Sequence, residues 1–121
     1  MDHGPRFQKL CDDVRSHITE VSADAIAARI ARGEKFELVD VREESEFAAG
    51  RIKGARHLGK GVIERDVEKA IPDVDTEVIL YCGGGFRSAL AAESLTKMGY
   101  RNVKSMAGGW REWNAKSFPT A

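Results

Sequence analysis

The period of the hydrophobic positions changes along the chain, and each change marks an element. Ala23, Ile26, Ala27 and Ile30 recur at helical spacing behind Ser22, an N-cap residue with Asp24 in the first turn, and Gly33 offers a stop. Val62, Ile63, Val67 and Ile71 repeat that period until Pro72 ends it. Residues 36–41, 77–81 and 102–106 read as strands, and 77–81 has the unbroken apolar centre of a parallel strand covered on both faces. Shorter strands are expected at 18–21 and 55–58. Helical turns are expected at 7–15, at 43–49 closed by Gly50, at 88–98 closed by Gly99, and around Trp110 and Trp113 after Gly108-Gly109. Strands and helices alternate, so the pattern predicts an α/β domain on a mostly parallel sheet, with ligands at the carboxyl ends of the strands.

Composition narrows the function without naming it. A chain of 121 residues has the length of one domain, with 42% hydrophobic and 31% charged residues. The charges balance at 19 against 19, so no basic field points to nucleic acid and no polybasic tract points to a membrane surface. No run is long enough for a membrane span, and the first residues lack the apolar stretch of a signal peptide, so the expected location is cytoplasmic. Cys11 and Cys82 are too few for a structural zinc site. His3, His17 and His57 show no metal-ligand spacing, so neither metal nor cofactor is expected.

The chemistry concentrates where the 77–81 strand ends. Cys82 is followed by Gly83, Gly84, Gly85, Phe86, Arg87 and Ser88, and then by the 88–98 helix. Consecutive glycines let backbone N–H groups turn inward as an anion-binding nest, and a helix start adds its positive dipole end. Both favour negative charge on the Cys82 sulfur, the setting of a thiolate nucleophile. Arg87 brings a fork suited to an oxyanion, and Ser88 is placed to cap the helix and to donate to the sulfur. No histidine lies in the loop, so activation is expected from dipoles and Arg87. His57 is expected in a local backbone hydrogen bond, and Cys11 as a spectator thiol.

Three separated motifs then carry a resemblance to the single-domain rhodanese-like sulfurtransferases, over about residues 18–113. Asp40-Val41-Arg42-Glu43, Glu46-Phe47 and Gly50 to His57 resemble the family's first signature. Cys82 to Ser88 is similar to its active loop, and Gly108-Gly109-Trp110 with Trp113 to its closing motif. The resemblance implies a three-layer domain, a five-stranded sheet with helices on both faces, over residues 18–117. Residues 1–17 would be a helical extension and 118–121 a tail. It also implies a sulfurtransferase that moves a sulfane sulfur from thiosulfate or another persulfide donor to cyanide or a thiol through a Cys82 persulfide. Gly83 to Ser88 would form the anion-binding loop. Asp40, Arg42 and Glu46 would hold the fold near it, Arg42 bridging to Glu46. A second cation for thiosulfate is expected from Lys60 or Arg56.

Two other functions use similar parts. A persulfide carrier or docking module would pass sulfur to a protein acceptor through the same residues. A cysteine phosphatase or arsenate reductase would need Arg six positions after Cys, whereas Arg87 follows Cys82 by five.

Overall fold

The computed structural model describes residues 3–121. Its elements run α1 (Pro5–Arg15), β1 (Thr19–Val21), α2 (Ala23–Ala31), β2 (Glu37–Asp40), α3 (Glu44–Ala49), β3 (Arg56–His57), α4 (Ile63–Ala70), β4 (Val78–Tyr81), α5 (Phe86–Lys97), β5 (Val103–Met106) and α6 (Gly109–Ala115). The five strands form one sheet in the order β1-β5-β4-β2-β3, and every pairing is parallel.

Alternation along the strands builds two cores. On one face Val39, Val78 and Leu80 pack with Ile63 and Val67 of α4 and with Ala91, Ala92 and Leu95 of α5. On the other, Leu38, Ile79 and Tyr81 pack with Ala23 and Ile26 of α2 and Trp113 of α6. All four residues of β4 are therefore buried, as the continuous apolar run predicts. Ser22 accepts from the Ala25 N–H at 3.0 Å and caps α2 as expected. Val62, read as part of an apolar helix face, stands one residue ahead of α4 and stays 38% exposed.

Both flanking segments are tied to the sheet region. Helix α1 packs on α5 and buries Cys11 and Val14 completely or nearly so. Residues 118–121 run beside 51–53. Arg51 and Ala121 exchange backbone hydrogen bonds, and the Trp113 indole N–H donates to the Pro119 carbonyl at 2.9 Å.

The topology also places the site. After β2 the chain goes to the edge strand β3, and after β4 it goes the other way, to β5. Neighbouring strands whose connections part in opposite directions leave a crevice at their carboxyl ends. Cys82 follows β4 there, and Arg42 follows β2.

Candidate active site

The loop after β4 is shorter than the pattern predicts, because α5 starts at Phe86 and not at Ser88. Gly85 is the N-cap, at φ +94°, and a β-carbon on it would collide with the Ala107 carbonyl. Only glycine meets both conditions. Ser88 thus falls in the first helical turn, where backbone N–H groups lack intrahelical partners. Its N–H donates to Cys82 Sγ at 3.4 Å, and the Gly85 N–H donates to the same sulfur at 3.1 Å. The thiol S–H reaches Ser88 Oγ at 3.5 Å, and that hydroxyl shares a 2.8 Å hydrogen bond with Ser105 Oγ. With sulfur ionised, the Ser88 hydroxyl rotates to donate instead. Sulfur occupies the place of an anion at a helix start.

Helix α6 holds the loop from behind. The Trp110 N–H donates to the Cys82 carbonyl at 2.7 Å, and the Arg111 N–H donates to the Gly83 carbonyl at 3.0 Å. Gly109, at φ +56°, lets the helix come this close, since a β-carbon there would strike the Cys82 carbonyl oxygen. Of the glycine pair before Trp110, Gly109 is thus a steric requirement of the cysteine loop, while Gly108 makes room for the Glu112 side chain.

The charged groups are arranged differently from the expectation. Arg42 is not bridged to Glu46. Its guanidinium is buried, pairs with Asp40 at 2.7 Å, donates to the Gly50 carbonyl at 2.6 Å and lies 4.9 Å from the Trp110 ring centre. The spacing of two residues explains the pairing, because Asp40 also accepts the Arg42 backbone N–H in a tight turn. Glu46 instead receives Arg87, 41 residues away, at 2.7 and 3.2 Å. That hydrogen bond, above all, holds the Glu46 carboxyl below its ordinary range. The same bond is the main reason the Arg87 guanidinium is held charged, with Cys82 adding to it.

A cavity of about 480 Å³ opens over the loop, lined by Cys82, Gly83 and Gly84, by Arg87, Glu46 and Arg42, and by Trp110 and Arg111. Its outer wall is aromatic: His3 and Phe7 pack on Phe86, with ring centres 4.3 and 5.9 Å away. The Arg15 guanidinium also lies over the Phe86 ring, 4.5 Å from its centre. Neither Lys60 nor Arg56 reaches this cavity. Lys60 lines a separate one beside His57 and Asp66, and Arg56 pairs with Glu37 at 3.4 Å. The arginine that shares the cavity edge with Arg87 is Arg111, which sequence reasoning passed over. His57 accordingly has a local role, bonding the Arg42 carbonyl at 2.7 Å. Among the described residues no three His, Cys, Asp or Glu side chains converge as metal ligands, and no helix is long and apolar enough to cross a membrane.

Comparison with known proteins reaches the same region. The chain is 35% identical over 89 residues to the thiosulfate sulfurtransferase GlpE of Pseudomonas putida, covering 74% of this chain and 79% of that one. It is 29% identical over 102 residues to the putative sulfur carrier protein YrkF of Bacillus subtilis, covering 84% of this chain but 54% of YrkF. It therefore spans only about half the length of that relative. A solved structure from Rhodopseudomonas palustris, RPA3614, described as a protein of unknown function and possible tyrosine phosphatase, superposes with a TM-score of 0.88 at 25% identity. The match covers 100% of this chain and 96% of that one. A family model described as the rhodanese-like domain matches residues 22–116, from the N-cap of α2 to the end of α6. The chain belongs to the rhodanese-like domain family, whose members here include proteins named as sulfurtransferases.

Proposed function

We propose that the protein is a sulfurtransferase that carries sulfane sulfur as a persulfide on Cys82. The observation that supports this most is the convergence of the Gly85 and Ser88 N–H groups on Sγ at the floor of a cationic cavity. In the first half-reaction the Cys82 thiolate attacks the outer sulfur of thiosulfate. The S–S bond breaks with its electron pair on the leaving sulfite, and Cys82 is left as Cys–S–S⁻. In the second, cyanide or a thiolate attacks the outer sulfur, and the Cys82 thiolate returns as the leaving group. No proton moves in either step when the reactants are anions, so neither step needs an acid beside Cys82.

The same point weakens a phosphatase reading. A phosphate ester needs a general acid for its leaving oxygen. Glu46 lines the cavity, but Arg87 keeps it ionised. A persulfide carrier that hands sulfur to a protein acceptor uses the same residues and first half-reaction, and differs only in the acceptor.

Mass spectrometry of the protein after thiosulfate or polysulfide tests the proposal. Cys82 is expected to gain the mass of one sulfur atom, and cyanide is expected to remove it as thiocyanate. An aryl phosphate should not be hydrolysed above background. A Cys82-dependent phosphatase activity without sulfur loading would overturn the reading. A persulfide inert to cyanide and to small thiols, yet discharged by a protein thiol, would favour the carrier.

A further inference from the structure

The cavity holds three arginines, and two are already committed. Arg42 is neutralised by Asp40 and buried against Tyr81 and Trp110. Arg87, the arginine of the loop itself, is neutralised by Glu46 through two hydrogen bonds. Arg111 differs: among the described residues its side chain has neither an ion-pair nor a hydrogen-bond partner, and it is exposed to solvent at the cavity edge. Its guanidinium lies across Gly84, 3.4 Å from where a β-carbon would stand, and Arg87 Nη2 lies 3.2 Å from the same point on Gly83. The glycines thus admit two guanidinium groups over the cysteine loop, and only one carries uncompensated charge.

We propose that Arg111 is the residue that recognises the anionic group of the sulfur donor, and that Glu46 restrains Arg87 from doing so. The inference rests on the sulfurtransferase reading and deepens it. In thiosulfate the sulfonate end is the leaving group, and it departs as a dianion. A cation at the cavity edge, rather than at Sγ, meets that end while the outer sulfur faces Cys82. Backbone contact fixes the placement, because the Arg111 N–H donates to the Gly83 carbonyl and so ties the root of the side chain to the loop. Glu46 lowers the net positive charge of the cavity and thereby sets the donor affinity below what Arg87 and Arg111 would give together.

Steady-state kinetics with two donors tests this. Thiosulfate carries two charges. Methanethiosulfonate carries one and transfers its sulfur by the same displacement, releasing methanesulfinate. Arg111→Gln is expected to raise KM for thiosulfate about tenfold with kcat little changed, and KM for methanethiosulfonate by about threefold, as the loss of a charge-assisted contact scales with ligand charge. Arg111→Lys should recover most of the affinity. Glu46→Gln, which frees Arg87, should lower KM for thiosulfate several-fold. Equal losses with both donors, or a lysine variant as poor as the glutamine one, would show that Arg111 acts through structure and not charge. Normal sulfur loading of Cys82 with KM unmoved in Arg111→Gln would remove Arg111 from donor binding and leave the sulfurtransferase reading standing. If neither donor places sulfur on Cys82 in the unmodified protein, that reading itself falls.

Discussion

At the amino end of β4, Glu77 accepts from Arg29 Nη1 at 2.7 Å and from Lys104 Nζ at 2.6 Å, and Arg29 is also bound by Glu34 at 2.8 Å. At the carboxyl end, five residues on, Cys82 is buried under two amides, Gly85 holds a left-handed backbone, and Arg111 has no partner among the described residues. One strand joins the two ends. At the first, charges from α2 and β5 meet and cancel. At the second, two amide dipoles meet on the Cys82 sulfur, and one cation has no answering group among the described residues. The contrast separates residues that hold the fold from residues prepared for something that arrives from outside. It also predicts that substitutions at one end change stability and at the other change chemistry.

The largest expected effect is at Cys82. Cys82→Ser should lower thiocyanate formation by at least about a thousandfold, since a hydroxyl cannot hold sulfane sulfur, while the unfolding midpoint stays near that of the unmodified protein. A large fall in stability would break the separation of the two ends. Gly85→Ala should break the separation in a defined way, because strain and a collision with Ala107 fall on the loop itself. About 2–4 kcal/mol of stability should be lost in urea titration, together with sulfur loading.

At the other end, Glu77→Gln should cost on the order of 2 kcal/mol and leave kcat/KM unchanged. The pH dependence sharpens this. The Arg29 hydrogen bond, with help from Lys104, lowers the Glu77 carboxyl from 4.5 to about 2. A depressed carboxyl stabilises the fold fully above its unfolded value, and the contribution disappears as pH falls through the folded one. Stability of the unmodified protein should therefore decline between about pH 4.5 and 2, and Glu77→Gln should flatten that decline in urea titrations. The smallest effect is expected at Cys11. Burial pushes its thiol up and keeps it protonated. Cys11→Ser should leave activity near normal and cost about 1 kcal/mol, through a hydroxyl in an apolar site. If that variant were the one to lose sulfur transfer, Cys82 would not be the carrier.

Most of the fold is legible because its signals are local. The apolar run of β4, the Ser22 cap and the Pro72 stop each act within a few residues, and the sheet follows from their alternation. The glycine loop is legible too, since the left-handed backbone at Gly85 and the close Ala107 carbonyl call for glycine. What the sequence leaves open is pairing at long range. Glu46 and Arg87 stand 41 residues apart, and Arg42 has carboxylates at two spacings, so the choice depends on how α3 and α5 lie across the crevice. Arg111 is one of 19 basic residues in the chain, and only the packing of α6 on the loop distinguishes it. The aromatic wall is hidden for the same reason: residues 7–15 read as a weak amphipathic helix, and nothing local says that its start overlies Phe86.

The two hydrogen bonds from α6 to the Cys82 and Gly83 carbonyls have a consequence for the reaction medium. In a trans peptide the carbonyl and the next N–H point in opposite directions, so drawing both carbonyls toward α6 turns the Gly83 and Gly84 N–H groups the other way. In sulfur transfer the negative charge moves outward by one S–S bond, from thiolate to persulfide. Water would have to reorient around each position in turn. Here the Gly83 and Gly84 amides, which line the cavity loop, are turned away from α6, a helix that starts 27 residues after Cys82, at Gly109. On the proposed sulfur transfer, the orientation of these amides is set when α6 docks and need not change as the charge moves.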